Sequence, residues 1–201
     1  MLTRRQTIAG LAASFATLLP SLATAGVGGR ANNLPPEFAP RLVRLQQDRP
    51  AGEIHVVPDH HSLYWTLSDG QAIRYFVGLA RDERYRSGTY TVRRKAEWPS
   101  WTPTPAMIRR EPAVYARHAN GMAGGPDNPL GARALYLFNG AGRDSYMRIH
   151  GTNQPGTISR NVSNGCVRLI NAQVIDLYDR VPLGTPVFLY RKGLLAPITT
   201  G

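Results

Sequence analysis

The sequence predicts a mainly β domain with mixed sheets and one short helix, and three observations carry that expectation. Apolar residues alternate with polar ones in several short stretches. The chain holds 20 glycines and 16 prolines, which favour turns over long helices. Helical periodicity is convincing at only one place. With 201 residues, 42% of them hydrophobic, the chain can bury one proper core and falls short of two comfortable domains.

Residues 1–25 read as a signal peptide. Arg4 and Arg5 form a basic start, an apolar run rich in Ala, Ser and Thr follows, and Ala23-Thr24-Ala25 supplies small residues for cleavage. The arginine pair in Thr3-Arg4-Arg5-Gln6-Thr7 is like that of a twin-arginine export signal. The apolar run is too short and too polar for a membrane span, so no integral membrane segment is expected once the signal is removed. Residues 26–50 read as a leader, with at most a short polar helix over 41–49. The domain proper is expected over 51–192, with 193–201 as a tail.

Strand patterns then follow in order over 54–57, 62–67 and 72–79. The turn signal Ser68-Asp69-Gly70 links the second to the third. In the third stretch Ile73, Tyr75, Val77 and Leu79 fall on one face. Residues 89–93 alternate again. Residues 97–131 read as a long irregular insertion, and a run of that length is usually functional. Strands resume over 134–138 and 146–149. A helix is expected over 172–180 with Asn171 as its N-cap, turning Val174, Tyr178 and Val181 inward. A last strand covers 187–190.

The formal charge of +11 falls to +9 when Arg4 and Arg5 leave with the signal. Such a basic chain is drawn to anionic partners. Export argues against nucleic acid and favours an anionic cell-wall polymer. His60 and His61 sit side by side in an expected turn, so their side chains diverge and no metal site is expected. His55 and His118 carry no signal of their own. Trp98 and Trp101 either line a cleft or pack the insertion onto the body.

A single cysteine in an exported protein is either a buried, inert residue or a free reactive thiol. Its surroundings favour the second. Ser163-Asn164-Gly165-Cys166-Val167-Arg168 puts a glycine where the backbone must turn to present amides to an oxyanion. His150, sixteen residues earlier at the end of an expected strand, can reach the sulfur and take its proton.

The wider string is specific. His150-Gly151-Thr152, then Ser163 to Leu169, then the helix ending Asp176-Leu177-Tyr178 resembles the signature of the L,D-transpeptidases, bacterial cell-wall enzymes. Val181-Pro182-Leu183-Gly184-Thr185-Pro186-Val187, Trp101-Thr102-Pro103-Thr104-Pro105 and Gly125-Pro126-Asp127-Asn128-Pro129-Leu130-Gly131 resemble further segments of that family. The likeness runs from about residue 52 to residue 191. It implies a β-sandwich or barrel with a short helix after the catalytic cysteine, and acyl transfer on peptidoglycan tetrapeptide stems. Cys166 would be the nucleophile and His150 the base, with Gly165, Asn164 and Ser163 shaping the oxyanion loop. Arg168, Gly151 and Thr152 would bind substrate. No cofactor or metal is implied. The acceptor would be a second stem or an outer-membrane lipoprotein, in the periplasm of a Gram-negative bacterium. Many members carry histidine where this chain has Asn164, which leaves the base role to His150.

Other readings use related chemistry. A carboxypeptidase or an amidase would need the same residues and differ only in the acceptor. A sortase-like enzyme also places His before Cys and Arg after, at wider spacing. Papain-like peptidases reverse the order of Cys and His. A decayed binding module would lack one of the pair.

Overall fold

A computed structural model describes residues 36–193 together with Ile198. The expected signal peptide, residues 26–35 of the leader, and residues 194–197 and 199–201 of the tail lie outside the described residues. No helix among the described residues is long and apolar enough to cross a membrane.

Among the described residues, eleven strands and three α-helices follow one another. They are β1 (Arg41–Arg44), β2 (Ile54–Val57), β3 (Ser62–Thr66), β4 (Gln71–Phe76), β5 (Leu79–Ala80) and β6 (Gly88–Glu97). After them come α1 (Pro105–Arg110), α2 (Pro112–Tyr115), β7 (Arg133–Phe138) and β8 (Asp144–His150). The last are β9 (Asn161–Ser163), β10 (Val167–Arg168), α3 (Asn171–Arg180) and β11 (Pro186–Leu189). Nine strands form one mixed sheet in the order β1-β4-β3-β2-β11-β6-β7-β8-β10, and β5 pairs with β9.

Most neighbours are antiparallel, but β11 runs parallel to β2 and β10 parallel to β8. Gly78, just past β4, exchanges backbone hydrogen bonds with Arg168 of β10, 2.8 Å in each direction. The far end of the sheet therefore curls back towards β4. That is the mixed-sheet, barrel-like β architecture the sequence leads one to expect.

Local chemistry explains the joints. Asp69 and Gly70 both take positive φ, 58° and 64°, the backbone twist that a tight hairpin between β3 and β4 needs. Inward residues of every central strand meet in one core, with Ile54, Tyr75, Leu135, Ile149 and Val187 fully buried. Helix α3 presses Val174, Leu177 and Val181 onto it. Tyr178, expected on the inward stripe, stands at its margin with Lys95 Nζ 4.1 Å from its ring centre. The apolar stripe is thus rotated by about one residue.

Several expectations are corrected. Residues 41–44 form an edge strand rather than a helical turn, paired antiparallel with β4 from Arg41 opposite Arg74 to Arg44 opposite Gln71. The sheet so takes in residues ahead of position 51. Ile198, in the expected tail, is fully buried in a smaller cluster with Leu45, Val57, Tyr64 and Ala72. The 72–79 stretch is broken after Phe76, where Val77 bonds to His61 and Ser159, Gly78 bonds to Arg168 of β10, and residue 79 begins β5. The 97–131 insertion is not structureless. It holds α1 and α2, each starting on a proline, and the Thr104 hydroxyl caps α1 by accepting from Met107 N at 3.2 Å. Proline at a first helical position is favourable, since its missing N–H would have no partner there.

Candidate active site

A cleft of about 770 Å³ runs between the sheet end formed by β8 and β10 and the insertion carrying α1 and α2. His150, Ser163, Asn164, Gly165, Cys166 and Arg168 all line it. Parallel pairing of β10 with β8 places Arg168 opposite His150 and Val167 opposite Ile149. Cys166, the next residue back, is half-buried and unpaired by any disulfide.

The loop before β10 is tied to itself. Ser163 Oγ donates to Cys166 O at 2.7 Å and accepts from Gly165 N at 3.3 Å. Gly165 has φ +140°, a conformation that side chains rarely adopt. Asn164 reaches outward instead. Its Oδ1 accepts from Arg84 at 2.5 Å and from Arg110 at 3.0 Å, and its Nδ2 donates to the Tyr115 hydroxyl at 2.9 Å. The cysteine loop is thereby joined to both helices of the insertion.

The imidazole of His150 is 3% exposed. Its Nδ1 donates to Gly151 O at 2.5 Å. A carbonyl can only accept, so Nε2 is the basic nitrogen of the neutral ring. Burial holds the imidazole far below its ordinary value, at about 3, and the guanidiniums of Arg168 and Arg148 push the same way. Burial also pushes the Cys166 thiol up, opposed by a hydrogen bond from the Arg148 backbone N–H and by the charges of Arg148 and Arg168. The thiol and the imidazole, which line the same cleft, are therefore both neutral at rest.

The two arginines are held differently. Arg148 grips Asp144 with two hydrogen bonds, 2.7 and 2.8 Å, and its guanidinium lies 4.2 Å from the Tyr136 ring centre. Arg168 has no carboxylate partner among the described residues, and its Nε is buried without a hydrogen bond.

Gly151 and Thr152 are both buried and neither lines the cleft. Thr152 Oγ1 instead accepts from Gln154 N at 3.0 Å. Asn171 does not cap α3, whose N-cap is Ile170. Its Oδ1 accepts from Ala132 N at 3.0 Å and Thr152 N at 3.1 Å. A Cβ on Gly131 or on Gly151 would lie 2.2 Å from that oxygen, so two glycines are needed for the loops to close on it. Asn171 fixes the strand end that carries His150, a role its place before a helix had disguised.

Of Trp98 and Trp101, Trp101 lines the cleft, edge-on to Tyr115 and His118 at 6.2 and 5.9 Å. Trp98 does not. Among the described residues no three His, Cys, Asp or Glu side chains gather as a metal site requires.

Residues 51–189 match the family model YkuD, described as the L,D-transpeptidase catalytic domain. A probable L,D-transpeptidase of Escherichia coli (strain K12), ErfK/SrfK, is 41% identical over 132 residues, which are 62% of this chain and 39% of that protein. A putative L,D-transpeptidase of Fuscovulum blasticum is 39% identical over 127 residues, covering 62% of this chain and 61% of its own. The chain thus spans less than two thirds of the length of either relative. A solved structure from Brucella melitensis, described as a probable carnitine operon oxidoreductase, shares 46% identity at a TM-score of 0.54, covering 78% of this chain and 96% of that one. L,D-transpeptidase 3 from Mycobacterium tuberculosis shares the fold, with a TM-score of 0.50 at 16% identity over 71% of this chain and 62% of its own. The chain belongs to the YkuD family of L,D-transpeptidase catalytic domains.

Proposed function

We propose that the chain is an exported, periplasmic L,D-transpeptidase that acts on peptidoglycan stem peptides through Cys166. The observation that carries this reading is the parallel pairing of β10 with β8, which puts His150 and Cys166 on one cleft wall beside Arg148 and Arg168. The relatives named as L,D-transpeptidases support it. The description of the Brucella protein speaks of different chemistry, but nothing in this cleft favours that reading over acyl transfer.

In the proposed reaction His150 Nε2 takes the thiol proton as Sγ attacks the carbonyl of the third stem residue. The two guanidiniums stabilise the negative charge that appears on sulfur. The amides of Gly165 and Cys166 face the oxyanion, and the Gly165 amide gives up its long hydrogen bond to Ser163 Oγ to do so. Protonated His150 then returns the proton to the departing amine of D-alanine, leaving a thioester. An amine on a second stem or on an outer-membrane lipoprotein attacks the thioester and frees the thiol. Water in that place would make the enzyme a carboxypeptidase.

Residues 1–25 serve as the export signal in this proposal, and 51–192 as the catalytic unit. Intact-mass analysis after exposure to a carbapenem tests the nucleophile. One adduct is expected on the wild-type protein and none on Cys166→Ala. An equal adduct on both would remove Cys166 from the mechanism. Incubation with disaccharide tetrapeptides separates the acceptors, since cross-linked dimers mark transfer to a stem and tripeptides mark hydrolysis.

A further inference from the structure

Three guanidiniums surround one carboxylate next to the cleft, and two of them, Arg84 and Arg110, line it. Arg81 and Arg84 come from the segment after β5, and Arg110 ends α1. Glu111 Oε1 lies 3.8 Å from Arg81 Nη1, 3.9 Å from Arg84 Nη1 and 3.8 Å from Arg110 Nε. None of these separations is a hydrogen bond. The short contacts go to a neutral group, since Arg84 and Arg110 both donate to Asn164 Oδ1. Glu83 reaches Arg84 Nε at 3.2 Å from an exposed position. The Arg84 side chain is only 18% exposed, so its charge is poorly hydrated and would gain from a better-placed anion.

Asn164 stands two residues before Cys166, and Arg84, Arg110 and Asn164 line the same cleft as the thiol. Arg168 lines the cleft as well, and its charge acts on the thiol. The cleft therefore presents positive charge in more than one place.

We propose that Arg84 and Arg110 form a second carboxylate subsite that selects acidic stem peptides, with Glu111 as a built-in competitor. The inference rests on the stem-peptide reading given above. A carboxylate of the bound peptide away from the attacked bond replaces Glu111 at the cluster and takes up donors that Glu111 stands too far away to use. A carboxamide at the same place could accept hydrogen bonds but would not neutralise the two guanidiniums. Free and amidated stems are thereby told apart by charge.

The test is calorimetric titration of the full chain carrying Cys166→Ala with the tetrapeptide L-Ala-γ-D-Glu-diaminopimelyl-D-Ala. The comparison peptide has its glutamyl and diaminopimelyl carboxylates amidated. The acid form is expected to bind roughly fivefold tighter at low salt, with the preference shrinking as salt rises. Arg84→Gln and Arg110→Gln, each added singly, are expected to erase the preference while leaving the amidated peptide within about twofold. Glu111→Gln is expected to tighten the acid form by about threefold, a gain that loss of structure would not produce. Equal affinity for the two peptides, binding of neither, or arginine variants that weaken both alike would overturn the subsite. Wild-type turnover of both peptides with equal kcat/KM also overturns it and leaves the transpeptidase reading standing. Charge-selective binding without turnover has the opposite meaning.

Discussion

Two buried histidines sit in this molecule, and only one of them lines the cleft that holds the thiol. His55 on β2 is 1% exposed, His150 on β8 3%. Burial holds His55 down at about 4, with the Arg49 charge acting in the same direction, much as His150 is held at about 3. Their partners differ. His55 has both ring nitrogens taken, by the Tyr190 hydroxyl at 2.9 Å and Glu53 Oε2 at 3.0 Å, and it stacks on Phe188 at 4.8 Å. His150 has Nδ1 against a carbonyl and lines a cleft that also holds a thiol. A displaced pKa is thus no guide to chemistry by itself. What separates the two is that His150 lines a cleft together with a thiol, while His55 is enclosed by Tyr190, Glu53 and Phe188.

The sharpest break in that comparison is replacement of each histidine. His150→Ala is expected to slow acylation of Cys166 by at least about 100-fold, the usual scale for losing a general base. His55→Gln is expected to leave the rate within about twofold while lowering stability by about 1–3 kcal/mol through lost packing and hydrogen bonds. Stopped-flow acylation by a carbapenem and chemical denaturation read the two effects. Equal rates for wild type and His150→Ala would move the base elsewhere. The resting pair being neutral, alkylation of the thiol by iodoacetamide should keep rising beyond pH 8 instead of levelling off near neutrality.

Asn171→Ala comes next. It removes the acceptor shared by Ala132 N and Thr152 N and leaves two amides unpartnered near the strand end of His150. About 2 kcal/mol of stability and roughly tenfold in acylation rate are expected to go. A stability loss with no change in rate would make Asn171 a fold residue only.

Acid titration brings the two histidines back together. Both have folded values below the ordinary 6.5, so from about pH 6.5 downward the unfolded chain binds protons that the folded chain refuses. Stability from this source is complete above pH 6.5 and is lost as the pH falls towards 4 and then 3. Each histidine contributes at most about 1.4 kcal/mol per pH unit there. Glu53 opposes the slope, since burial pushes its carboxyl up despite Arg49, and it gains a proton as the pH falls. His55→Gln should make the loss between pH 6 and pH 4.5 visibly shallower. An unchanged slope would show that His55 titrates alike in both states.

The alternation of the central strands and the Asp69-Gly70 turn were readable in the sequence, because each depends on neighbours along the chain. So were the cysteine loop and His150, through a recognisable string. What escaped depends on distant partners. Nothing near Ile54-His55-Val56 announces that Tyr190 and Glu53 will satisfy the ring. Pro105 and Pro112 look like loop punctuation until Thr104 and Glu111 are seen to start helices there. Asn171 stands where an N-cap belongs, and only the close approach of Gly131 and Gly151 turns its side chain aside. Arg84 and Arg110 are two among many scattered arginines until Asn164 draws them together.

The smallest effect expected is at Asn164, and it bears on what replaces the histidine common at that place in the family. An amide oxygen accepts from two guanidiniums at once, while its NH2 donates to Tyr115. A neutral imidazole has one acceptor nitrogen and could not serve both arginines. The residue therefore acts as a tie between the cysteine loop and the α1–α2 insertion, without titrating near neutral pH. Asn164→Ala should slow acylation only about threefold and lower stability by about 1 kcal/mol, since Glu83 and Glu111 still stand beside the freed arginines. Asn164→His should do no better than alanine, because the imidazole leaves one guanidinium without its acceptor. If Asn164→His instead exceeded the wild-type rate, position 164 would be supplying a proton-transfer group, and the base role would no longer rest on His150 alone.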